Sequence, residues 1–268
     1  MKTRAITGFF FVVVMLAAFF FGKYVFTGFF SLLSLLCLLE FYKLTATTAV
    51  RPQQILGLLL GLFICSGGAF IWLDASFSTH FLVLLIPLVV TVFFAELYRK
   101  SKKPFDNIAY TFLGILYTVM PFVFFMAMAF LQMDFNFHFS LGFILLLWTN
   151  DTCAYLSGKK FGKTKLFEQH SPKKTWEGFI GGIVATTLVA LLIGHYFQEV
   201  LWIHWIVIGL IVSIFGTMSD LVESMLKRSI NVKDSGSILP GHGGLLDRFD
   251  GLLLAAPLVF VYLYLLIL

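Results

Sequence analysis

Four residues near position 220 have types and a spacing that could do chemistry. They are Asp220, Glu223, Ser224 and Lys227. Their spacing of i, i+3, i+4 and i+7 places them on one face of a helix. The preceding residues are apolar, so this face is predicted to lie where a membrane span ends. Carboxylates at membrane depth are costly unless they meet water, a partner or a cation, which favours a functional face. The alternative is an ion-paired face in which Glu223 bonds Lys227.

The segment that follows is rich in groups that bind phosphates and metals. Between residues 227 and 251 it supplies four cations, three aspartates, one histidine and five glycines. The charged members are Lys227, Arg228, Lys233, Asp234, Asp247, Arg248 and Asp250. Mg²⁺ prefers carboxylate oxygens while it bridges phosphates, and Gly243 and Gly244 let backbone amides approach an anion. We therefore predict a polyphosphate and metal site here rather than a solvated connector. His242 is either a contact to the nucleotide or phosphate or a structural hydrogen-bonding residue.

A second polar region lies upstream, after the Asn-Asp pair that ends at Asp151. Its GKKFGKT stretch is similar to a P-loop, but that motif needs four residues between the first glycine and the Gly-Lys pair, and here there are three. Lys173 and Lys174 precede a predicted helix start at Thr175, where charge and exposed amides could bind an anion. The alternative is that these lysines only set membrane orientation.

The composition indicates a membrane protein, so membrane-spanning helices must position these groups. Hydrophobic residues make up 59% of the 268 residues and charged residues only 12%, against about 25% in soluble domains. A span needs roughly 20 apolar residues. Nine spans are predicted, at 5–21, 24–42, 54–73, 80–98, 108–131, 137–157, 176–197, 200–223 and 250–268. The expected fold is therefore all-α and polytopic. Cys37, Cys65 and Cys153 have no disulfide or metal spacing.

The basic residues predict the orientation of these spans. With a cytosolic N-terminus, 18 of the 19 lysines and arginines lie inside and only Lys23 lies outside. The net charge of +5 then needs no nucleic-acid partner. Lys2 and Arg4 before an apolar run also fit a secretory leader, but no convincing small-residue cleavage site follows, so a retained helix is expected. We interpret 1–131 as a helical scaffold and 132–268 as the catalytic part, with its active site at the cytosolic face.

The stretch SMLKRSINVKDSGSILPGHGGLLDRFDG, residues 224–251, resembles the signature of the phosphatidate cytidylyltransferases, also called CDP-diacylglycerol synthases. That pattern is Ser, two residues, Lys-Arg, four residues, Lys-Asp, a small residue two later, His-Gly-Gly and Asp-Arg-x-Asp. The sequence does not depart from it. The upstream SPKKTWEG and the Asn-Asp pair also look like this family. The resemblance therefore extends over about residues 148–251 in its motifs and over the whole chain in length and hydropathy.

The resemblance implies a reaction and roles for these residues. CTP and phosphatidic acid would give CDP-diacylglycerol and pyrophosphate in a Mg²⁺-dependent inner-membrane enzyme, expected to be a homodimer in the bilayer. A second metal or a monovalent cation stays open. The resemblance places metal on Asp220, Asp247 and Asp250, and catalysis also on Lys227, Arg228, Lys233, Asp234, His242 and Arg248. The predicted substrate-binding residues are Asp151, Lys173, Lys174, Glu223, Ser224, Gly243 and Gly244.

Two other classes of protein remain alternatives. A cation-coupled transporter would use intramembrane carboxylates, but it would carry them at mid-membrane in several helices. A CTP-dependent lipid alcohol kinase would need a base to activate a hydroxyl. A CDP-alcohol phosphotransferase is disfavoured because its DGxxAR pattern is absent.

Overall fold

The structure, a computed structural model, describes residues 2–74, 79–132, 134–236 and 243–267. Within these ranges it contains ten α-helices and one small hairpin. The helices are α1 Lys2–Phe20, α2 Lys23–Thr45, α3 Gln54–Leu73, α4 Leu85–Arg99, α5 Pro104–Gly114, α6 Met120–Ala127, α7 His138–Phe161, α8 Trp176–Tyr196, α9 Trp202–Ser229 and α10 Leu246–Ile267. The antiparallel strands of the hairpin are β1 Lys165–Phe167 and β2 Ser171–Thr175. The all-α prediction is confirmed.

Eight helices in the described ranges are long and apolar enough to cross a membrane. One of them, Pro104–Phe130, joins α5 and α6 through a π-helical turn at Ile115–Val119. A shorter apolar helix, Gly8–Phe20, lies near the N-terminus. The chain is thus a multi-pass membrane protein, as its composition predicts.

Two helix boundaries near the predicted site differ from the sequence expectation. α9 continues past 223 to Ser229, and α10 begins at Leu246 rather than 250. Hydropathy ends a span where polar residues begin, whereas a helix can continue into water. Lys227 and Arg228 occupy the last turn of α9, where cations interact favourably with the helix dipole. Lys227 therefore lies on the helix face that its spacing predicts, and Arg228 lies on the same helix rather than in the loop that follows.

By contacts the chain forms two compact units. The first is Met1–Ala127 with Asp234–Asp247, and the second is Met128–Lys233 with Arg248–Leu268. The functional division into 1–131 and 132–268 stays a prediction.

The first unit has an aromatic core and a buried polar network. Phe30 packs on Phe26 and Phe125, with ring centroids 5.0 Å and 4.8 Å away. The carboxylate of Glu96, which is 2% exposed, accepts hydrogen bonds from Gln53 Nε2 at 2.7 Å and Asn107 Nδ2 at 2.6 Å. Buried polar groups need such partners, so this network stabilises the ends of three helices.

In the second unit α7 packs against both α8 and α9, with α8 also against α9. Trp205 of α9 is fully buried, and a Cβ at Gly142 of α7 would lie 2.5 Å from its ring. A Cβ at Gly251 of α10 would lie 2.7 Å from Leu147. Small residues let membrane helices approach closely, and here they bring α7, α9 and α10 together near the predicted site.

Candidate active site

The polar face at the end of α9 is present as predicted. Lys227 Nζ lies 2.7 Å from Glu223 Oε2, and the Glu223 side chain is fully buried. Ser224 Oγ donates to Asp220 Oδ1 at 3.3 Å. The i, i+4 ion pair considered from the sequence therefore exists, but Asp220 lies outside it.

Asp250 of α10 joins two of these carboxylates in a compact cluster. One carboxylate oxygen from each of Asp220, Glu223 and Asp250 lies within 4.8 Å of the other two. Ser219 of α9 holds α10 in place, because its hydroxyl donates to the Asp250 carbonyl and accepts from Leu254 N at 3.1 Å. We call Asp220, Glu223 and Asp250 the carboxylate cluster.

Residues from α7 and β2 surround this cluster. Lys174 Nζ lies 2.6 Å from Asp220 Oδ2 and 3.4 Å from the carbonyl oxygen of Thr217. Asn150 Nδ2 donates to Thr217 Oγ1 at 3.3 Å and lies 3.5 Å from Asp151 Oδ1. Asp151 is exposed and is close enough to Asp220 for the two carboxylates to repel each other. The structure thus brings the upstream Asn-Asp pair and Lys174 to the end of α9.

The charges of these groups suit a divalent cation. The cluster and Asp151 supply four carboxylates, against the two ammonium groups of Lys174 and Lys227. Carboxylates thus outnumber ammonium groups, and the groups that could bind a metal all do so through oxygen atoms, which hard cations such as Mg²⁺ prefer. The residues therefore fit a magnesium ion.

A hairpin and a helix cap position Lys174. β2 ends at Thr175, which is the N-cap of α8, and its Oγ1 accepts from Gly178 N at 3.2 Å. A Cβ at Gly162 would lie 2.8 Å from the same oxygen, so glycine is needed for this close packing. The predicted helix start at Thr175 is thus found, whereas the hairpin has no clear signal in the sequence.

Asp247 lies in the first unit, as do the two described ends of the segment that leads into α10. These ends are residues 234–236 and residues 243–246, the last of which begins α10, and we call them the loop ends. Asp247 Oδ2 accepts hydrogen bonds from Ser235 N and Gly244 N, both at 3.0 Å. Gly243 has φ +86°, a left-handed conformation that favours glycine. The predicted role of Asp247 as a metal ligand stays a prediction.

The remaining predicted residues lie mostly on the surface. Lys173, Arg228, Lys233, Asp234 and Arg248 are exposed. Arg228 Nη1 donates to the carbonyl oxygen of Val232 at 3.1 Å. His242 lies outside the described residues.

Two glutamates make contacts in the structure that were not predicted from the sequence. Glu223 is predicted as a substrate contact but belongs to the carboxylate cluster. Its i, i+3 spacing from Asp220 is the signal for this. Glu40 of α2 was not predicted at all, yet it accepts from Leu246 N at 2.8 Å. An acidic residue alone in an apolar span is the signal that could have found it.

A separate carboxylate–histidine pair in the second unit joins Glu199, which lies between α8 and α9, to His138, the first residue of α7. Glu199 Oε1 accepts from Asn136 Nδ2 at 3.0 Å and also bonds His138 Nδ1. The His138 ring stacks on Phe197 with centroids 4.0 Å apart. Burial raises the pKa of Glu199, but the hydrogen bonds from Asn136 and His138 lower it further, so the pKa lies below its ordinary value of 4.5.

This pair predicts a pH dependence of stability. Because the pKa of Glu199 is lower in the folded chain, its stabilisation is complete above 4.5 and is lost as the pH falls through the folded pKa. We expect Glu199→Gln to lower the thermal unfolding midpoint at pH 7. The difference in midpoint from the unmodified chain should become smaller as the pH falls below about 4.5. Unfolding in detergent, followed by tryptophan fluorescence from pH 7 to 3.5, measures this. An effect of Glu199→Gln that grows as the pH falls contradicts it.

The chain is similar to known proteins over nearly its whole length. Residues 2–266 match the model of the Cytidylyltransferase family. The chain is similar to the phosphatidate cytidylyltransferase of Bacillus subtilis (strain 168), with 34% identity over 98% of this chain and 97% of the relative. It is 35% identical to that of Staphylococcus aureus (strain COL), over 98% of this chain and 99% of the relative.

Proposed function

This chain belongs to the cytidylyltransferase family, and from that membership we propose that it is a phosphatidate cytidylyltransferase. It transfers the cytidylyl group of CTP to phosphatidic acid, giving CDP-diacylglycerol and pyrophosphate. Relatives of this name match nearly its full length. The enzyme therefore acts in phospholipid synthesis.

The observation that supports this chemistry best is the carboxylate cluster with two lysines beside it. Asp220 lies 2.6 Å from Lys174 Nζ, and Glu223 lies 2.7 Å from Lys227 Nζ. A site for a nucleoside triphosphate needs carboxylates that hold a cation and, beside them, ammonium groups that bind phosphate oxygens. A transporter site would not need these phosphate-binding groups.

The carboxylates of Asp220, Glu223 and Asp250 would hold Mg²⁺. A cation held there would supply positive charge that offsets the negative charge of the phosphates. Asp247 remains a predicted ligand from the family resemblance. A second metal or a monovalent cation stays open.

The protein side chains mainly bind and orient the two substrates. An oxygen of the phosphatidic acid phosphate forms a bond to the α-phosphorus of CTP, and the bond from that phosphorus to the oxygen bridging to the β-phosphorus breaks. The attacking phosphate is already largely ionised near pH 7. No protein nucleophile or strong base is therefore required.

The cations around the cluster bind the phosphates. Lys174 lies at the cluster, and Lys173 is its exposed neighbour on β2. Arg228 and Lys233 are exposed just beyond the buried Lys227. We assign these exposed cations to the triphosphate of CTP, because their charge offsets that of the leaving pyrophosphate.

The orientation of the chain is part of this proposal. The excess of lysine and arginine on one side favours a site that faces the cytosol of a bacterial inner membrane. CTP is soluble, while the acyl chains of phosphatidic acid stay in the bilayer, so the site must be open to both. We also propose a homodimer, on the family resemblance alone.

The test is transfer of label by the purified full-length chain in detergent. With phosphatidic acid, Mg²⁺ and CTP labelled at the α-phosphate, we expect label to enter the lipid fraction. Chelation by EDTA is expected to stop transfer, and added Mg²⁺ to restore it, because the carboxylates need a cation to hold the triphosphate. Each reaction is compared with one lacking phosphatidic acid.

Other outcomes would point to the other classes. If label enters an added lipid alcohol from the γ-phosphate of CTP and never from the α-phosphate, the protein is a kinase. If neither label moves under any metal condition, the transferase proposal is wrong and cation transport in vesicles becomes the next measurement.

A further inference from the structure

Glu40 is a buried carboxylate in a helix that the sequence assigns to the scaffold. It lies near the C-terminal end of α2, in the first unit, and is 2% exposed. A charged group is costly to bury unless hydrogen bonds satisfy it. Its partners should therefore show why it is there.

Those partners are in the loop ends, about 200 residues later in the chain. Glu40 Oε2 accepts from Leu246 N at 2.8 Å, across a sequence separation of 206 residues. Leu246 is the first residue of α10, where free amides and the helix dipole favour a negative group. Glu40 therefore caps α10 from another helix.

The second carboxylate oxygen of Glu40 lies against both loop ends. A Cβ at Gly236 would lie 1.9 Å from Glu40 Oε1, and one at Gly244 would lie 2.2 Å from it. Ser235 Oγ lies beside the same face of Gly244, 1.9 Å from that Cβ position. Only glycine at 236 and 244 leaves room for this carboxylate. The two loop ends are thus packed around one side chain.

The same loop ends hold Asp247. Its Oδ2 accepts from Ser235 N and Gly244 N, both at 3.0 Å, so the residues that surround Glu40 also orient Asp247. Glu40 and Asp247 are close enough to repel each other, which disfavours a turn of Asp247 toward Glu40. A change at Glu40 therefore reaches Asp247 through the backbone of both loop ends.

We propose that Glu40 is a positioning residue for the reaction: it fixes the two loop ends and the start of α10, and thereby the orientation of Asp247. This inference rests on the proposed function for its kinetic consequences. Its structural part, the fixing of the backbone, does not depend on the reaction. Glu40 acts through the loop ends and touches no substrate.

The kinetic test compares Glu40→Ala, Glu40→Gln and Gly236→Ala with the unmodified chain. Misplacement by about 1 Å can cost roughly 100-fold in rate, so we expect Glu40→Ala to lower kcat by about 100-fold. The Mg²⁺ concentration for half-maximal rate should also rise. Glu40→Gln should recover most of the rate, because its amide oxygen can still accept from Leu246 N.

Gly236→Ala provides a second route to the same defect. The three atoms nearest to the new methyl would all belong to Glu40. The methyl would therefore collide with this side chain and displace its carboxylate from Leu246 N. We expect a loss similar to that of Glu40→Ala. The double variant should be no worse than Glu40→Ala alone, since the methyl then occupies vacated space.

Glu96→Gln is the matched control. Glu96 is a second buried glutamate of the first unit, and it accepts hydrogen bonds from Gln53, Ser101 and Asn107, which lie outside the loop ends. We expect this change to lower the thermal unfolding midpoint while the folded enzyme keeps its kcat and its Mg²⁺ dependence. A general loss of folding would instead affect the Glu40 and Glu96 variants alike.

Amide hydrogen exchange separates this inference from the proposed function. We expect the amides of Gly244 and Leu246 to be protected in the unmodified chain and to exchange at least tenfold faster in Glu40→Ala, whether or not the chain transfers label. If exchange is unchanged in Glu40→Ala, the inference is wrong. If exchange rises while kcat and Mg²⁺ dependence stay as in the unmodified chain, Glu40 is structural only and the positioning role is overturned.

Discussion

Replacement of Asp220 by asparagine is expected to lower cytidylyl transfer by about 1,000-fold. The change keeps the size of the side chain but removes one of the three negative charges of the carboxylate cluster. It also leaves Lys174, now 2.6 Å from Asp220 Oδ2, without its carboxylate partner. A metal ion contributes several kcal/mol to catalysis, and about 1.4 kcal/mol corresponds to a factor of ten in rate. The measurement is label transfer at saturating Mg²⁺.

The control for Asp220→Asn is Glu199→Gln, which neutralises a carboxylate of the same unit outside the cluster. We expect Glu199→Gln to retain transfer within a factor of about two of the unmodified chain, since Glu199 is not among the residues proposed to hold the metal. The thermal midpoints of both variants show whether they are folded. An Asp220→Asn chain that is folded and keeps more than a tenth of the rate contradicts the assignment of Asp220 to the metal.

Replacement of Lys227 by methionine is expected to cause the largest loss of stability. Lys227 Nζ lies 2.7 Å from Glu223 Oε2, and the Glu223 side chain is fully buried. Removing one member of a buried ion pair takes away an opposite charge that offsets the cost of burying its partner, and typically costs about 3–5 kcal/mol. That is a large part of the roughly 5–15 kcal/mol that stabilises most proteins. Thermal unfolding in detergent without added metal measures the loss.

A second substitution tests the cause of this loss. Lys227→Met combined with Glu223→Gln removes both charges, so we expect it to be more stable than Lys227→Met alone. Arg228→Met is the matched control, because Arg228 is the exposed neighbour of Lys227 in the same turn of α9. Its effect should stay within about 0.5 kcal/mol, as for most surface changes. If the double variant is less stable than Lys227→Met, the pair does not explain the loss.

The helices could be predicted well because lipid imposes a simple rule on the sequence. Every backbone group in a membrane must be bonded within its own segment, so each apolar run of sufficient length becomes a helix. The predicted span 54–73 agrees with α3, Gln54–Leu73, at both ends. Hydropathy fails where a helix leaves the membrane, as at Lys227 in α9 and Asp247 in α10.

The site was predicted in part, because local spacing reports only neighbours on one helix. The spacing of Asp220, Glu223 and Lys227 indicated one polar face, which the structure contains. It could not show that Asp250 completes the carboxylate cluster, because that contact depends on the packing of α9 against α10 through Ser219. Nor could it connect Glu40 with Leu246, which lie 206 residues apart.

The sequence by itself determined the class of protein, its family resemblance and the residue types of its site. Composition forces helices in lipid, residues 224–251 predict a polyphosphate and metal site, and the family resemblance of that stretch implies the reaction. Only the tertiary structure decided which carboxylates meet, which lysines neutralise them and which scaffold residue holds the loop ends. Such contacts depend on distances of a few ångströms, which glycines allow: Gly251 lets α10 approach α7, and Gly236 lets a loop end approach Glu40.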